Sequence, residues 1–82
     1  MEGPNIIKMP MGAKILTVQV QEGEPHIWVL VDPGEMDRPR FIEIFGTGHK
    51  IEEIPDTRLE YIGTFQFNSG VFIFHAFERI IL

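Results

Sequence analysis

Hydrophobic and polar side chains alternate along most of this chain with a period of two, not the 3.6 of a helix. Over residues 14–21, Leu16, Val18 and Val20 fall on one side and Ile15, Thr17, Gln19 and Gln21 on the other, the pattern of a half-buried strand. Residues 26–32 are apolar on both sides, with Ile27, Val29 and Val31 alternating with Trp28 and Leu30. Such a strand is central in its sheet or lies at a subunit interface. Residues 40–45 alternate Phe41 and Phe45 with Ile42 and Ile44, diluted only by Glu43. In residues 59–67, Leu59, Tyr61, Phe65 and Phe67 share one side and Glu60, Ile62, Thr64 and Gln66 the other. The gap left by Gly63 on the aromatic side predicts a bulge or a large neighbouring ring. Residues 71–79 are again apolar on both sides, and residues 5–9, set between Pro4 and Pro10, suit a sheet edge.

Breakers separate these runs. Gly23 and Pro25 predict a hairpin turn at which Pro25 ends the pairing, and Asn68-Ser69-Gly70 predicts another. Pro33, Gly34 and Pro39 mark residues 32–39 as a polar loop, the segment expected to be most mobile. Residues 50–58, charged and interrupted by Pro55, read as a connection with one helical turn at most. The final Ile80-Ile81-Leu82 is apolar where chain ends are usually polar, so it is expected to pack on the domain or on a partner subunit. No helical apolar pattern persists for three turns. The expectation is a single all-β domain over residues 1–82, with five or six short antiparallel strands in a small barrel or a curved sheet closed by oligomerisation.

Composition sharpens this picture. At 82 residues with no cysteine, the chain has neither a second core nor a disulfide or cysteine-zinc staple, yet 44% of it is hydrophobic, including seven Phe. A monomer of that size has little interior in which to hide so many, so a homo-oligomer is expected. A net charge of −5 argues against non-specific binding to nucleic acid, which needs a basic surface. No apolar run approaches the roughly 18 residues of a membrane span, and the start lacks a signal-peptide plan. A cytoplasmic protein with no membrane association is the expectation.

The most specialised local chemistry lies where residues 40–45 run into Gly46-Thr47-Gly48-His49. With Lys50, these residues suit an anion cradle in which backbone N–H groups and the Thr47 hydroxyl surround a phosphate and His49 or Lys50 adds charge. A P-loop is excluded by the spacing, and a tight strand-to-loop turn accounts for the same glycines. Arg38, Arg40 and Arg58 flank loops and suit bidentate phosphate contacts, and Trp28 and Tyr61 are candidates for stacking on a base. His26, His49 and His75 lack paired ligand spacing, so no metal site is expected. His75 shares a side with Val71, Ile73 and Phe77, where its imidazole must find a hydrogen-bond partner if buried. Ser69 is explained by its turn, and no catalytic constellation emerges, so neither an enzyme nor a cofactor is expected.

Several blocks occur in an order that carries a resemblance: Met9-Pro10-Met11-Gly12-Ala13-Lys14-Ile15-Leu16, Val18-Gln19-Val20-Gln21, Trp28-Val29-Leu30-Val31-Asp32-Pro33, Gly46-Thr47-Gly48-His49, Tyr61-Ile62-Gly63-Thr64-Phe65-Gln66 and Phe74-His75-Ala76-Phe77-Glu78. Together they resemble a family of small uncharacterised proteins of bacteriophages and prophages. The resemblance implies a phage accessory protein acting in the host cytoplasm, as a host-defence antagonist that sequesters a nucleotide-type signal. The alternatives are an inhibitor docking on a host defence complex and a virion or assembly accessory. The expected partners are therefore a further copy of the chain and a small anionic ligand or a host defence protein.

Overall fold

The computed structural model describes residues 3–67 and 70–82. Six strands follow one another: β1 (Gly3–Pro10), β2 (Lys14–Gln21), β3 (Glu24–Leu30), β4 (Asp37–Gly46), β5 (Thr57–Phe67) and β6 (Phe72–Ile81). They form a four-stranded sheet of order β1-β4-β6-β5 and a separate β2–β3 hairpin, with every pairing antiparallel. The all-β reading therefore holds, and the described strands form two sheets instead of a closed barrel. The predicted turn at residues 68–70 begins outside the described residues, as does Ser69; Gly70 N–H donates to Phe67 O at its end.

The hairpin lies on one face of the four-stranded sheet, here the inner face. There Val18 of β2 packs with Ile44, Phe65 and Ala76, and Ile27, Ile62, Phe67 and Phe74 surround them. Paired residues share a face, so Ile42, Ile44, Ala76 and Glu78 point inward and Phe41, Glu43, Phe45, His75, Phe77 and Arg79 outward. Strand β5 changes face partway, at a bulge between Tyr61 and Gly63. Leu59 and Tyr61 point outward beside Arg79 and Phe77, whereas Phe65 and Phe67 point inward beside Phe74 and Phe72. The uniform aromatic side expected for residues 59–67 is therefore split in two.

Gly63 occupies that bulge because β2 crosses closely over it. A Cβ at this position would sit 3.0 Å from Val18 Cγ1, so the large neighbour is a valine and not a ring. Gly63→Ala is expected to destabilise the domain by about 1–2 kcal/mol through overpacking. Urea unfolding checks this, and adding Val18→Ala to the variant should cost less than the two single changes summed.

Both unexpected prolines lie inside strands. Pro25 pairs with Val20 in β3 and Pro39 with Lys8 in β4, which corrects the reading of Pro25 as a terminator and of residues 32–39 as wholly loop. Each sits where its strand has a single neighbour: β3 pairs only with β2, and β4 meets β6 only from Phe41 onward. A missing N–H is tolerated at such edges. The β2–β3 turn is Glu22-Gly23, with φ of 52° and 78°, the two positive values of a type I′ hairpin turn.

Strands β4 and β5 both run antiparallel to β6, so residues 47–56 must return along the length of the sheet. Arg79 fastens this crossover. Its Nε and Nη2 donate to the Glu43 carboxylate at 2.6 and 2.9 Å, Nη2 also to Glu52 O at 3.2 Å, and Nη1 to Thr57 Oγ1 at 3.3 Å. Thr57 Oγ1 donates in turn to Ile54 O at 2.7 Å. On the inner face Arg40 forms a second two-pronged pair with Glu78 and donates to Ala13 O at 2.9 Å, tying β4 and β6 to the start of β2. Glu78 holds the Arg40 guanidinium, and Glu43 that of Arg79, above the ordinary arginine range, outweighing burial, which lowers it. A raised folded-state value makes this stabilisation fully present below the arginine range and lost only at more alkaline pH.

The crossover contains no helix, so the single helical turn allowed for it is absent. The apolar end of the chain continues β6: Ile80 and Ile81 pair with Arg58 and Thr57, and Leu82 N–H donates to Asp56 O at 2.9 Å. Ile81 and Leu82 nevertheless remain exposed. No helix among the described residues is long and apolar enough to cross a membrane.

Candidate functional site

Gly46-Thr47-Gly48-His49 closes as a β-turn, with His49 N–H donating to Gly46 O at 3.0 Å. Gly48 has φ +87°, which identifies a type II turn with glycine at its third position. Space is open around Gly48, so only the backbone conformation demands glycine there. Gly48→Ala is expected to cost about 1 kcal/mol by thermal unfolding while leaving the outward groups of the turn intact.

This turn is not the amide-lined cradle that its sequence suggests. The N–H of Thr47 donates to Ile73 O of β6 at 3.1 Å and that of His49 closes the turn on Gly46 O, so two of the proposed donors are already engaged. What the turn presents is the Thr47 side chain. Its hydroxyl donates to Ile73 O at 3.3 Å and lies 2.9 Å from His75 Nε2.

His75 is the centre of a chain of polar groups on an otherwise apolar and aromatic part of the outer face. Its Nδ1 lies 3.0 Å from Thr64 Oγ1, which lies 2.5 Å from the Tyr61 hydroxyl. The Thr47 proton is directed at Ile73 O, so in a neutral imidazole Nε2 donates to Thr47 Oγ1 and Nδ1 accepts from Thr64. Thr64 then accepts from Tyr61, and the chain runs in one direction from β5 across β6 to the end of β4. The partner expected for His75 is thus a pair of threonine hydroxyls. Tyr61 packs edge-on against Phe77 with centroids 5.5 Å apart, and Phe77 meets Phe45 in the same manner at 5.9 Å.

Thr47 also borders a cleft of about 440 Å³, lined by Gly46, Thr47, His49 and residues 71–74. That volume is in the range of small-ligand sites. A larger cleft of about 700 Å³ lies on the other side of Phe72 and Phe74, between Phe67 and the hairpin residues Gly23, Glu24 and Pro25. It offers one carboxylate and neither a hydroxyl nor an imidazole among its lining side chains, so the cleft at Thr47 carries more chemistry.

The other candidates do not converge here. Lys50 follows the turn and is exposed. Arg40 is engaged by Glu78 and Ala13, and it lies six residue steps along β4 from Gly46, roughly 20 Å at the usual rise. Arg38 lies farther along the same strand, opposite Met9. Arg58 pairs with Glu60 at 2.8 Å. Trp28 alternates with Ile27 and Val29 on the far side of the hairpin, whereas Tyr61 lies on the outer face of the larger sheet, so the two rings do not share a ligand. No group of three or more His, Cys, Asp or Glu among the described residues could hold a metal ion.

Sequence alternation missed Thr64 and underrated His75. A strict period of two places Thr64 opposite Tyr61, but the bulge at Gly63 returns it to Tyr61's face and beside His75. The available signal was Gly63 itself. The four network residues come from three of the blocks that carry the resemblance, namely 46–49, 61–66 and 74–78, and the fold brings those blocks together. No curated protein and no solved structure matches the chain. A family model matches residues 1–81, and by it the chain belongs to the family described as a domain of unknown function, DUF7352.

Proposed function

We propose that this protein acts by binding, without catalysis, and that its ligand is a small molecule with an aromatic, hydrogen-bonding ring of the nucleotide type. The carrying observation is the junction at Thr47 between the His75 hydroxyl chain and the cleft lined by His49 and residues 71–74. A ring entering the cleft meets Phe72 and Phe74 as apolar walls, while Thr47 and the groups behind it supply donors and acceptors. His49, which lines the cleft, offers its imidazole to an anionic substituent. Arg38, Arg40 and Trp28 have no part in this version of the site. The setting we propose is the one implied by the resemblance: a phage accessory protein that holds a host-defence signal out of circulation.

Titration with a panel of mono-, di- and cyclic nucleotides, followed by the His75 imidazole resonances, tests this directly. Binding of one class should shift those resonances, and Thr47→Val should weaken it by at least tenfold with unfolding unchanged. Undisturbed His75 resonances throughout the panel would remove the nucleotide reading. The second reading, docking on a host protein, is favoured by Val71 and Phe72, which stand 68% and 53% exposed at the mouth of the same cleft. It predicts that Phe72→Lys abolishes the partner complex while Thr47→Val does not.

A further inference from the structure

We propose that the cleft of about 700 Å³ at the tip of the β2–β3 hairpin is a binding site for an organic cation of the methylated or quaternary ammonium type. Its walls are aromatic. Phe67 and Phe72 stand opposite each other in the β5–β6 register, and Phe74 follows on the same, inner face of β6. The hairpin meets them only through Gly23, Glu24 and Pro25, and Phe72 stays 53% exposed.

The rings stand at steep angles instead of forming a flat floor. Phe67 and Phe74 meet at 72° with centroids 6.0 Å apart. Phe65, 4% exposed, backs both of them: it lies edge-on to Phe67 at 5.6 Å and stacks on Phe74 at 5.7 Å. The buried ring therefore fixes the angle between the two walls. Adjoining walls of this kind offer ring faces, the negative side of the aromatic quadrupole, to a cation held between them.

Charge selects the occupant. Glu24 is the one ionisable residue on the cleft, and none of the seven lysines and arginines lines it. The Glu24 carboxylate has no hydrogen-bond or ion-pair partner among the described residues. An anion is repelled by that carboxylate and by the ring faces alike. A neutral apolar group gains the walls and nothing from Glu24. A primary ammonium leaves N–H donors unpaired, because the cleft has no hydroxyl, amide or imidazole side chain to receive them. A methylated ammonium packs its methyl groups on Pro25 and the phenylalanines while its charge meets ring faces and carboxylate together. The cleft at Thr47 takes the other side of Phe72 and Phe74, and Glu24, Pro25 and Phe67 have no part in it, so this inference is independent of the nucleotide reading.

Titration with choline, and separately with its neutral isostere 3,3-dimethylbutan-1-ol, tests it at constant ionic strength, followed by the ring-proton resonances of Phe67 and Phe72. The expected result is a saturable shift with choline and binding of the isostere weaker by roughly tenfold, the share of the charge in a cation–π site. Glu24→Gln should remove most of that preference while leaving the affinity for the isostere unchanged. Glu24 is exposed, so equal thermal unfolding of the variant separates loss of charge from loss of fold. Thr47→Val should leave choline binding as it is. The absence of a saturable choline shift overturns the proposal, as does equal affinity for the isostere. A preference for choline that survives Glu24→Gln, or that Thr47→Val removes, also overturns it, because the cation then lies elsewhere.

Discussion

Arg79→Ala is expected to destabilise the protein by about 3–5 kcal/mol, the range for removing one member of a buried ion pair. Arg79 is 8% exposed, and it is the side chain that joins β4, the crossover and β5 through Glu43, Glu52 O and Thr57. Its removal leaves the Glu43 carboxylate on a half-buried strand without its partner and frees residues 47–56 from the sheet. A domain of this length has a total stability of about 4–12 kcal/mol, so the variant should be largely unfolded or close to it. Urea denaturation followed by circular dichroism gives the loss. The double variant Arg79→Met with Glu43→Leu should recover much of it, because no charge is then left unpaired. If the double variant is as unstable as Arg79→Ala, the crossover contacts and not the ion pair dominate.

Ile42→Ala is expected to cost about 2–5 kcal/mol, by lost transfer energy and the cavity left behind. Ile42 is 1% exposed on the inner face of β4, between Asn5 of β1 and Glu78 of β6. Ile6, one residue from Asn5 on β1, is 67% exposed on the outer face, and Ile6→Ala should fall within about 0.5 kcal/mol of wild type. The pair of measurements tests which side of the four-stranded sheet is covered. Equal losses at both positions would mean that the outer face of β1 is buried in the assembled protein.

Strand identity was legible because the period-two pattern survives in β3 and β4 and over residues 17–21 of β2, and because glycine marks the turns. Facing was less legible. Both bulges, at Leu16 and at Ile62, insert a residue that alternation cannot see, and the second one hides the adjacency of Tyr61, Thr64 and His75. Pro25 and Pro39 misled because a proline's effect depends on how many neighbours its strand has, a tertiary fact. Arg40 resembled a ligand-binding arginine until its partner on β6 was known: Glu78 lies 38 residues away in sequence, and only the β4–β6 register reveals the pair. Thr47 was legible as a candidate, but its role changed from capping an anion cradle to joining a cleft and an imidazole chain.

Native mass spectrometry of protein gently purified from a host expressing it tests most directly whether the Thr47–His75 junction holds a small ligand. The wild-type protein should carry an added mass in the nucleotide range, and the Thr47→Val and Thr64→Val variants, folded to the same degree, should lack it. A wild-type spectrum without any added mass, from cells in which the protein is active, would contradict the account. So would an added mass that both variants retain.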